Sequence, residues 1–425
     1  MNINYYTTPL MSVITTTTDK SEECNSDLKK EDVRELNQAI FDVDDNSTCT
    51  NSEYVSTSII DRLRHGTGHT HHDMCIIRTF FQQNNSKPFR IPDAVIYPKT
   101  KEQIIKLIHL SVKKQFCLIP FGGGTNVSHA LHCPSKDVEP RCILSVDMKY
   151  MNRIISINEE DRVVHVEAGI NGKTLLDELS KRGYTIGHYP DSYEFSTLGG
   201  WIATKSSGMK QAKYGNIEDI VQSAQVVLGR EDVDTHSNTY CYGRQSLGPS
   251  LNLSSLMIGS EGCLGIITSA VLKIWKMPQC VMYDSILLPT FDDGLNFMKE
   301  ISKMSQFKPA SVRLIDNVQF RLGQAMNGYN DDSDDTQSLY DDIKQSIQSA
   351  KHFLIKTGTH LFMNSAMMNY NNIVCVSIVF EGTYVETKTQ KDIIKNIIQT
   401  KNIYGIFTGS SVGKKAYELT FAIGK

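Results

Sequence analysis

The sequence lacks several features that would place it directly in a broad class. Its 10 cysteines include no CxxC pair, which argues against a zinc ribbon and a dithiol redox motif. The N-terminal segment has no basic stretch followed by an apolar core, so we expect no secretory signal, a reducing compartment and free thiols. No apolar run is long enough to span a bilayer, and we expect any membrane contact to be peripheral. With 44 Lys+Arg against 47 Asp+Glu, nothing favours a nucleic-acid partner.

What the chain does have is length and an ordinary globular composition. Its 425 residues are 40% hydrophobic and suffice for more than one domain. Residues 1–55 are rich in Thr, Ser, Asp and Asn, and they are predicted to be a mostly flexible N-terminal segment with one short helix around residues 29–41. Residues 56–87 are predicted to be a helical entry segment.

From about residue 88 the pattern alternates between strands and helices, which predicts a mixed α/β arrangement with two sheet-containing lobes. The apolar stripe of residues 104–112 indicates a helix that begins at Thr100, with Glu102 behind it. "CLIPF" is predicted to be a buried strand. After Pro278 the composition shifts towards a second domain with an antiparallel sheet and helices, one of them predicted at "LYDDIKQSIQSAKHFLIK". The final "YELTFAIGK" reads as a strand, and "REDVDTHSNTYCYGRQSLGPSLNLSS" reads as a polar, turn-rich insertion.

The stretch "LIPFGGGTNVSHA" carries the first functional signal, because three consecutive glycines cost backbone entropy. A glycine-rich turn after a strand exposes backbone N–H groups without side chains and can form an anion site. The motif is neither GxGxxG nor GxxxxGK[ST]. Taken alone, it fits a phosphate cradle and a sharp structural turn about equally.

Two further glycine-rich runs favour the cradle. "GHYPDSYEFSTLGGWIATKSSGMKQAKYGNIED" adds paired glycines and short polar side chains, and "IGSEGCLGIITSAVLKI" places three glycines around Glu261 before a strand. Three such segments on one α/β scaffold are difficult to explain as connecting loops alone.

The order of "PFGGGTN", "PDSYEFSTLGGW", "SSGM", "YGNIEDIV" and "GSEGCLGIIT" resembles the FAD-binding fold of the vanillyl-alcohol-oxidase type, the PCMH-type domain. Within that fold, "EFSTLGGW", "ASVRLIDNVQF" and "GHTHHD" are similar to the alkyl-dihydroxyacetone-phosphate synthases of ether-lipid synthesis. The resemblance covers about residues 60 to 425. It implies an α+β fold, with a two-lobed FAD-binding domain at 88–277 followed by a cap or substrate domain at 278–425 that is incomplete at its C-terminal end.

The resemblance also implies the residues that bind FAD. They are Pro120, Phe121, Gly122, Gly123, Gly124, Thr125 and Asn126 for the pyrophosphate, then Asp191, Ser192, Tyr193, Glu194, Phe195, Ser196, Thr197, Thr204, Lys205, Ser206, Ser207, Glu261, Gly262, Cys263, Leu264, Gly265, Ile266 and Ile267. Cys263 stands where the family usually has Thr, and we expect the change to be tolerated. No His neighbours the first glycines in sequence, so noncovalent FAD is expected.

The activity implied is exchange of the acyl chain of acyl-dihydroxyacetone phosphate for a long-chain fatty alcohol, through a flavin N5 adduct and without net redox change. Arg313 is the predicted catalytic charge, since a guanidinium can stabilise an anionic flavin or a phosphate. The alternative is that Arg313 has only a structural role, in a salt bridge to Asp316. Asp191 has two equal interpretations, a contact with the flavin edge or a turn cap after Pro190. Trp201 is expected to pack.

Other expectations concern metals, partners and completeness. His65, His69, His71 and His72 lie close together in sequence, but without a second matching pair we expect helix capping and packing and no metal. The family implies the peroxisome, peripheral membrane contact and a homodimer, although no import signal is visible. The family's phosphate-clamping Arg, catalytic Tyr and His-rich loop follow the match to the last residues, so little synthase activity is expected of this chain.

Two other functions compete with the synthase. One is an FAD-dependent 2-hydroxy-acid dehydrogenase, which shares the cofactor fold and would lose flavin colour with D-lactate or glycolate under anaerobic conditions. The other is a non-catalytic FAD-binding protein, which would hold FAD and form no product.

Overall fold

The computed structural model describes most of the chain from the first helix onward. The residues described are 28–41, 54–69, 73, 75, 90–229, 239–243, 256–304, 306–319, 322, 372–401, 403–410, 413–414 and 416–418. The predicted helix "LYDDIKQSIQSAKHFLIK" lies outside them.

The first sheet is mixed and carries the first glycine run at the end of one of its strands. Its order is β1-β2-β4-β3, with β2 and β3 parallel to β4 and β1 antiparallel to β2. The strands are β1 Val55–Ser56, β2 Ala94–Ile96, β3 Cys117–Phe121 and β4 Ile143–Asp147. Strand β3 is only partly buried up to Phe121, in contrast to the fully buried strand that its apolar sequence predicts.

Three helices flank this sheet: α1 Lys30–Phe41, α2 Ile59–His65 and α3 Lys101–Lys114. Helix α3 begins at Thr100 as predicted, and its capping box pairs Thr100 with Gln103, while Glu102 also hydrogen-bonds to the Thr100 side chain. Gln103 is the third residue of the helix, the position from which a side chain reaches back to the cap backbone.

Helix α1 confirms the short helix predicted around residues 29–41, within a segment that the sequence otherwise predicts to be mostly flexible. Leu36 and Ile40 are fully buried in the core of the first sheet, and Lys114 of α3 pairs with Asp32 at 3.2 Å and Glu35 at 2.5 Å. The helix is therefore an integral layer of the domain, because its apolar residues recur at the spacing that buries one face. Residues 1–27 and 42–53 lie outside the described part of the chain.

The second sheet is antiparallel throughout, with the order β5-β6-β10-β8-β9. Its strands are β5 Ile154–Asn158, β6 Val163–Glu167, β8 Val221–Leu228, β9 Thr239–Gly243 and β10 Gly265–Lys273, and a small pair joins β7 Tyr184–Thr185 to β11 Trp275–Lys276. Strand β9 lies inside the predicted polar insertion, which therefore includes a strand paired to β8. The helices of this lobe are α4 Gly172–Lys181, α5 Leu198–Ala203, α6 Gln211–Tyr214 and α7 Ile217–Ile220.

The third sheet follows Pro278 and is antiparallel, as the sequence predicts for the second domain. Its order is β13-β14-β12-β15, and helices α8 and α9 pack on it. The elements are β12 Cys280–Leu288, α8 Phe291–Ser302, β13 Ser311–Ile315, β14 Val374–Gly382, α9 Tyr384–Thr400 and β15 Ile406–Phe407. Residues 416–418 are helical, so the predicted strand "YELTFAIGK" does not include its first two residues, and its other residues, 419–425, lie outside the described part of the chain; Ala416 and Tyr417 are buried.

Glu381, a buried acid on β14, joins the third sheet to the second lobe. Its carboxylate pairs with Lys210 Nζ at 2.5 Å and accepts a hydrogen bond from the Tyr214 hydroxyl at 2.7 Å, while its backbone carbonyl accepts one from Lys213 Nζ at 2.8 Å. Burial raises the pKa of Tyr214, so its hydroxyl stays protonated and keeps donating. A carboxylate this deep in the protein is tolerated because charged and polar donors surround it.

Candidate functional site: a cleft lined by three glycine-rich loops

A cleft of about 420 Å³ opens where the three glycine-rich runs meet between the first and second sheets. Most of the predicted cofactor-binding residues line it: Pro120, Phe121, Gly122, Gly123, Gly124, Thr125, Asn126, Ser192, Ser196, Thr197, Thr204, Lys205, Ser206, Ser207, Glu261, Gly262, Gly265, Ile266 and Ile267. The fold thus brings together in one cleft predicted segments that are up to about 150 positions apart in the sequence.

The first glycine run follows β3 and packs directly against the second run. A Cβ added at Gly123 would lie 2.1 Å from the Phe195 carbonyl oxygen, and one at Gly122 would lie 2.3 Å from Thr197 Oγ1. Real Cβ atoms do not approach so closely, so only glycine allows these loops to touch. The glycines therefore serve loop-to-loop contact as well as exposing backbone N–H groups.

The second run is fixed by its own hydrogen bonds. Ser196 Oγ donates to the Ser192 carbonyl at 2.9 Å and accepts from Trp201 Nε1 at 2.7 Å. Thr197 caps α5, accepting from Gly200 N, and Gly199 N donates to the Ala168 carbonyl at 2.7 Å. The backbone here has few internal degrees of freedom left, because nearly every short polar group is tied to a neighbouring strand or helix.

The third run is attached to the end of α5. Glu261 N donates to the Ala203 carbonyl at 2.9 Å, and Gly259 N donates to the Ile202 carbonyl at 2.9 Å. Lys205 and Glu261 both have positive φ, 50° and 49°, a conformation that costs non-glycine residues energy and often accompanies ligand sites. All three loops therefore form one connected wall.

Asn126 shows that this wall is suited to a polar ligand. Both its side-chain oxygen and its nitrogen are inaccessible to solvent, and neither has a hydrogen-bond partner among the described residues. Buried amides are almost always hydrogen-bonded in native proteins, so a site with an unsatisfied amide beside three glycines fits an external polar group. The residues present thus fit the phosphates of a dinucleotide, which glycine-rich turns bind through backbone N–H groups.

His188 is a site residue that the sequence analysis did not identify. It is fully buried, its Nε2 lies 2.9 Å from Ser206 Oγ in the cleft wall, and its ring meets Trp201 edge to face. Burial lowers the pKa of His188 to about 4, so the imidazole is neutral at physiological pH. The only signal in the sequence was its position just before "YPDSYEF", which gives no indication of its contacts.

Arg313 pairs across the molecule with Asp191, at 3.8 Å between Nη2 and Oδ1. The local alternative, a salt bridge to Asp316, is not what the structure shows, since Asp316 Oδ1 instead accepts from Gln319 N at 2.7 Å. Both partners are partly exposed, so the pair contributes little to stability. Asp191 thereby has a role that neither of its two predicted interpretations included.

Some predicted cofactor-binding residues do not line the cleft, and several that line it were not predicted. The former are Asp191, Tyr193, Glu194, Phe195, Cys263 and Leu264; the latter are Val127, Ser128, Ala130, Leu131, Met148, Ala168, Pro190, Gly199, Gly200, Trp201 and Ala203. Phe195, Cys263 and Leu264 are exposed, and Phe195 contributes its backbone carbonyl to the loop contact. Trp201, expected to pack, is fully buried and also borders the cleft.

The described histidines of the entry segment pack, as expected. His65 Nε2 lies 3.0 Å from Asp147 Oδ2, and its ring lies 4.3 Å from that of Phe121. His69 N donates to the Gly124 carbonyl at 2.7 Å, and a Cβ added at Gly124 would lie 2.9 Å from the His69 ring. A histidine therefore lies beside the first glycines in space, though none does in sequence. His71 and His72 lie outside the described residues.

Comparisons with known proteins support an FAD-binding domain in this chain. A model of an FAD-binding domain matches residues 92–235, so the chain contains an FAD-binding domain. An alkyldihydroxyacetonephosphate synthase of Caenorhabditis elegans is 35% identical over 85% of this chain and 55% of its own length. One of Dictyostelium discoideum is 30% identical over 85% of this chain and 54% of its own length.

A solved structure of an alkyldihydroxyacetonephosphate synthase superposes with a TM-score of 0.73 at 28% identity, covering 93% of this chain and 63% of that one. The match supports the α+β fold with an FAD-binding PCMH-type domain, as the sequence predicts. The chain spans about half the length of the curated relatives that it matches. Among the described residues, no helix is long and apolar enough to cross a membrane.

Proposed function

The chain is a homologue of the alkyldihydroxyacetonephosphate synthases, and from this premise we propose that it binds FAD noncovalently in the cleft as part of such a synthase. The reaction proposed is the exchange of the acyl chain of acyl-dihydroxyacetone phosphate for a long-chain fatty alcohol in ether-lipid synthesis, without net redox change. The single observation that supports this most strongly is the meeting of three glycine-rich loops at one cleft, which the unsatisfied Asn126 amide also lines.

In this proposal the protein supplies binding and orientation. Bound FAD would supply an electron-deficient ring system for the exchange chemistry. The backbone of residues 122–126 would hold the pyrophosphate, and Asn126 would donate its amide to a phosphate or ribose oxygen. Neutral His188 would fix the Ser206 hydroxyl in one orientation, so that its remaining hydrogen-bonding capacity faces the cleft.

Arg313 is the residue that we propose for substrate charge. It lies on β13 of the third sheet and pairs with Asp191 of the second glycine-rich run, so it lies where the third sheet meets the FAD-binding domain. Asp191 would orient the guanidinium until an anionic substrate phosphate takes its place, since Arg binds phosphate bidentately and keeps its charge at all physiological pH values.

The FAD proposal is tested by purifying the chain and measuring its flavin content and visible spectrum. One FAD per chain, released by mild denaturation, is the expected result. Protein that stays colourless after incubation with FAD would overturn the proposal.

The choice of reaction is tested with the FAD-loaded chain under anaerobic conditions. We expect palmitoyl-dihydroxyacetone phosphate to perturb the flavin spectrum, and we expect D-lactate and glycolate to leave it unchanged. Bleaching by either hydroxy acid, with no response to the acyl compound, would favour the dehydrogenase instead. FAD content without any spectral response would favour the non-catalytic alternative.

We further propose a peroxisomal location with peripheral membrane contact. The family resemblance implies that compartment, and a long-chain alcohol partitions into membranes. Imaging of the tagged chain with a peroxisomal marker tests the location, and a purely cytosolic distribution would contradict it.

A further inference from the structure

Three potential metal ligands meet beside the cleft, at a place that the cofactor does not explain. They are Asp73, His129 and His132, and one ligand atom of each lies within 4.8 Å of the others. Asp73 Oδ1 lies 2.6 Å from His132 Nε2 and 3.5 Å from His129 Nδ1. The Asp73 side chain is 1% exposed, whereas the two imidazoles remain accessible from solvent. The group thus has a buried carboxylate and an open side through which an ion can enter.

Two distant parts of the chain form this cluster. Asp73 belongs to the entry segment, while His129 and His132 stand on the turn that follows the first glycine run, where His132 N donates to the His129 carbonyl at 3.0 Å. A Cβ added at Gly68 would lie 2.8 Å from Asp73 Oδ2 and 3.3 Å from Asn126 Nδ2, so the carboxylate lies next to the predicted pyrophosphate loop.

The donor set determines the kind of ion. Two imidazole nitrogens and one carboxylate oxygen are the ligands of open three-residue sites for Zn²⁺ and related divalent transition ions, whereas Ca²⁺ and Mg²⁺ prefer oxygen ligands alone. With metal–ligand bonds of about 2.0–2.1 Å, ligand atoms at two corners of a tetrahedron are about 3.3 Å apart. The Asp73–His129 distance already has this value within a few tenths of an ångström.

The shorter Asp73–His132 contact is a hydrogen bond, and it would have to lengthen by about 0.7 Å for both groups to bind one ion. Since the His132 side chain is 26% exposed, it has room for that movement. We propose that Asp73, His129 and His132 bind one Zn²⁺ or similar divalent transition ion, with water completing the coordination.

Such an ion would act on the wall of the cleft. Ser128, Ala130 and Leu131 line the cleft and alternate with the two histidines along the turn. An ion held by both the turn and the entry segment would fix this wall, adding to the His69–Gly124 hydrogen bond that already links the two segments. The ion is therefore proposed to be structural, and its binding does not depend on the identity of the substrate.

The test uses the FAD-loaded chain without an affinity tag, dialysed against a chelator and then titrated with Zn²⁺. We expect one tightly bound Zn²⁺ per chain and at least a tenfold loss of affinity in His129→Gln, whose half-exposed side chain makes misfolding improbable as an explanation. Asp73→Asn is expected to lose more, because it removes the shared carboxylate. The matched control is His109→Gln on α3, which should bind Zn²⁺ like the unchanged chain.

X-ray absorption at the zinc edge identifies the ligands. We expect nitrogen and oxygen at about 2.0–2.2 Å and no sulfur shell at about 2.3 Å. Exposed Cys75 is close in sequence, so Cys75→Ser should leave the stoichiometry unchanged. The proposal is overturned if Zn²⁺ fails to bind stoichiometrically, if His129→Gln binds it as tightly as His109→Gln does, or if a sulfur shell appears.

Discussion

Replacing Gly123 with Ala tests whether loop contact positions the cofactor site. An added Cβ would lie 2.1 Å from the Phe195 carbonyl oxygen and 2.8 Å from Ser196 Cα, whereas ordinary contacts begin at 3.4 Å. The two loops must therefore separate by about 1.3 Å. A displacement of this size breaks hydrogen bonds from the first run to a phosphate, each worth about 1.5–3 kcal/mol when the acceptor is charged.

Each 1.4 kcal/mol corresponds to a factor of ten, so the loss of one such bond weakens FAD binding by about tenfold to about a hundredfold. Overpacking is also expected to destabilise the FAD-free protein by about 1–3 kcal/mol.

Fluorescence titration of the FAD-free protein measures the affinity, and thermal unfolding without FAD measures the stability. The matched control is Gly229→Ala, where an added Cβ would meet no described atom within 4 Å. FAD affinity in Gly123→Ala equal to that of Gly229→Ala would refute the reasoning, because the first two glycine runs would then not need to touch.

Three other substitutions probe the site and its support. In the unchanged protein, burial lowers the pKa of His188 to about 4, against 6.5 in the unfolded chain, so the unfolded state binds the proton first as the pH falls. The free energy of unfolding therefore decreases by about 3 kcal/mol between about pH 7 and about pH 4. His188→Gln should remove this contribution and make stability less dependent on pH in that range. Urea unfolding across that range measures the difference, and parallel profiles would contradict it. Glu381→Gln leaves the partly buried Lys210 without its counter-charge and should cost about 1–3 kcal/mol by urea unfolding; a loss below about 0.5 kcal/mol would show that the pair is not needed. Arg313→Gln should keep its FAD but bind palmitoyl-dihydroxyacetone phosphate about ten- to a hundredfold more weakly in the flavin titration, whereas Arg141→Gln on the surface should match the unchanged chain. Equal weakening in both variants would assign the effect to net charge.

The cofactor cleft could be predicted from sequence because its requirements are local. A loop that must approach another backbone needs glycine, and glycine runs after strands are visible in the sequence as such. This reasoning predicted a possible cradle at residues 122–124, which line the cleft. Residues 125–126, 196–197 and 204–207 were assigned to the cofactor through the family resemblance, and they line the cleft as well. The same local logic predicted helix α3 and the antiparallel sheet after Pro278.

What could not be predicted depends on side chains from distant segments. Arg313 and its partner Asp191 are more than a hundred residues apart in sequence, and no rule of residue spacing predicts a contact over that separation. His188 gave no signal because a buried neutral imidazole is defined by its surroundings and not by its neighbours in sequence. Helix α1 was predicted, but its place in the core was not, because only two of its side chains, Leu36 and Ile40, are buried and so sparse a pattern does not show what they pack against.

The buried carboxylate of Glu381 has a mechanical consequence. Glu381 contacts three residues that follow the cleft wall closely in sequence: Lys210, Lys213 and Tyr214. The first of them is only three positions after Ser207, which lines the cleft. Strand β14, which carries Glu381, also pairs with strand β13, where Arg313 lies opposite Ser377 of β14. A tilt of the third sheet would therefore pull on the cleft wall through these contacts, so the position of the Arg313 guanidinium is coupled mechanically to the glycine-rich loops.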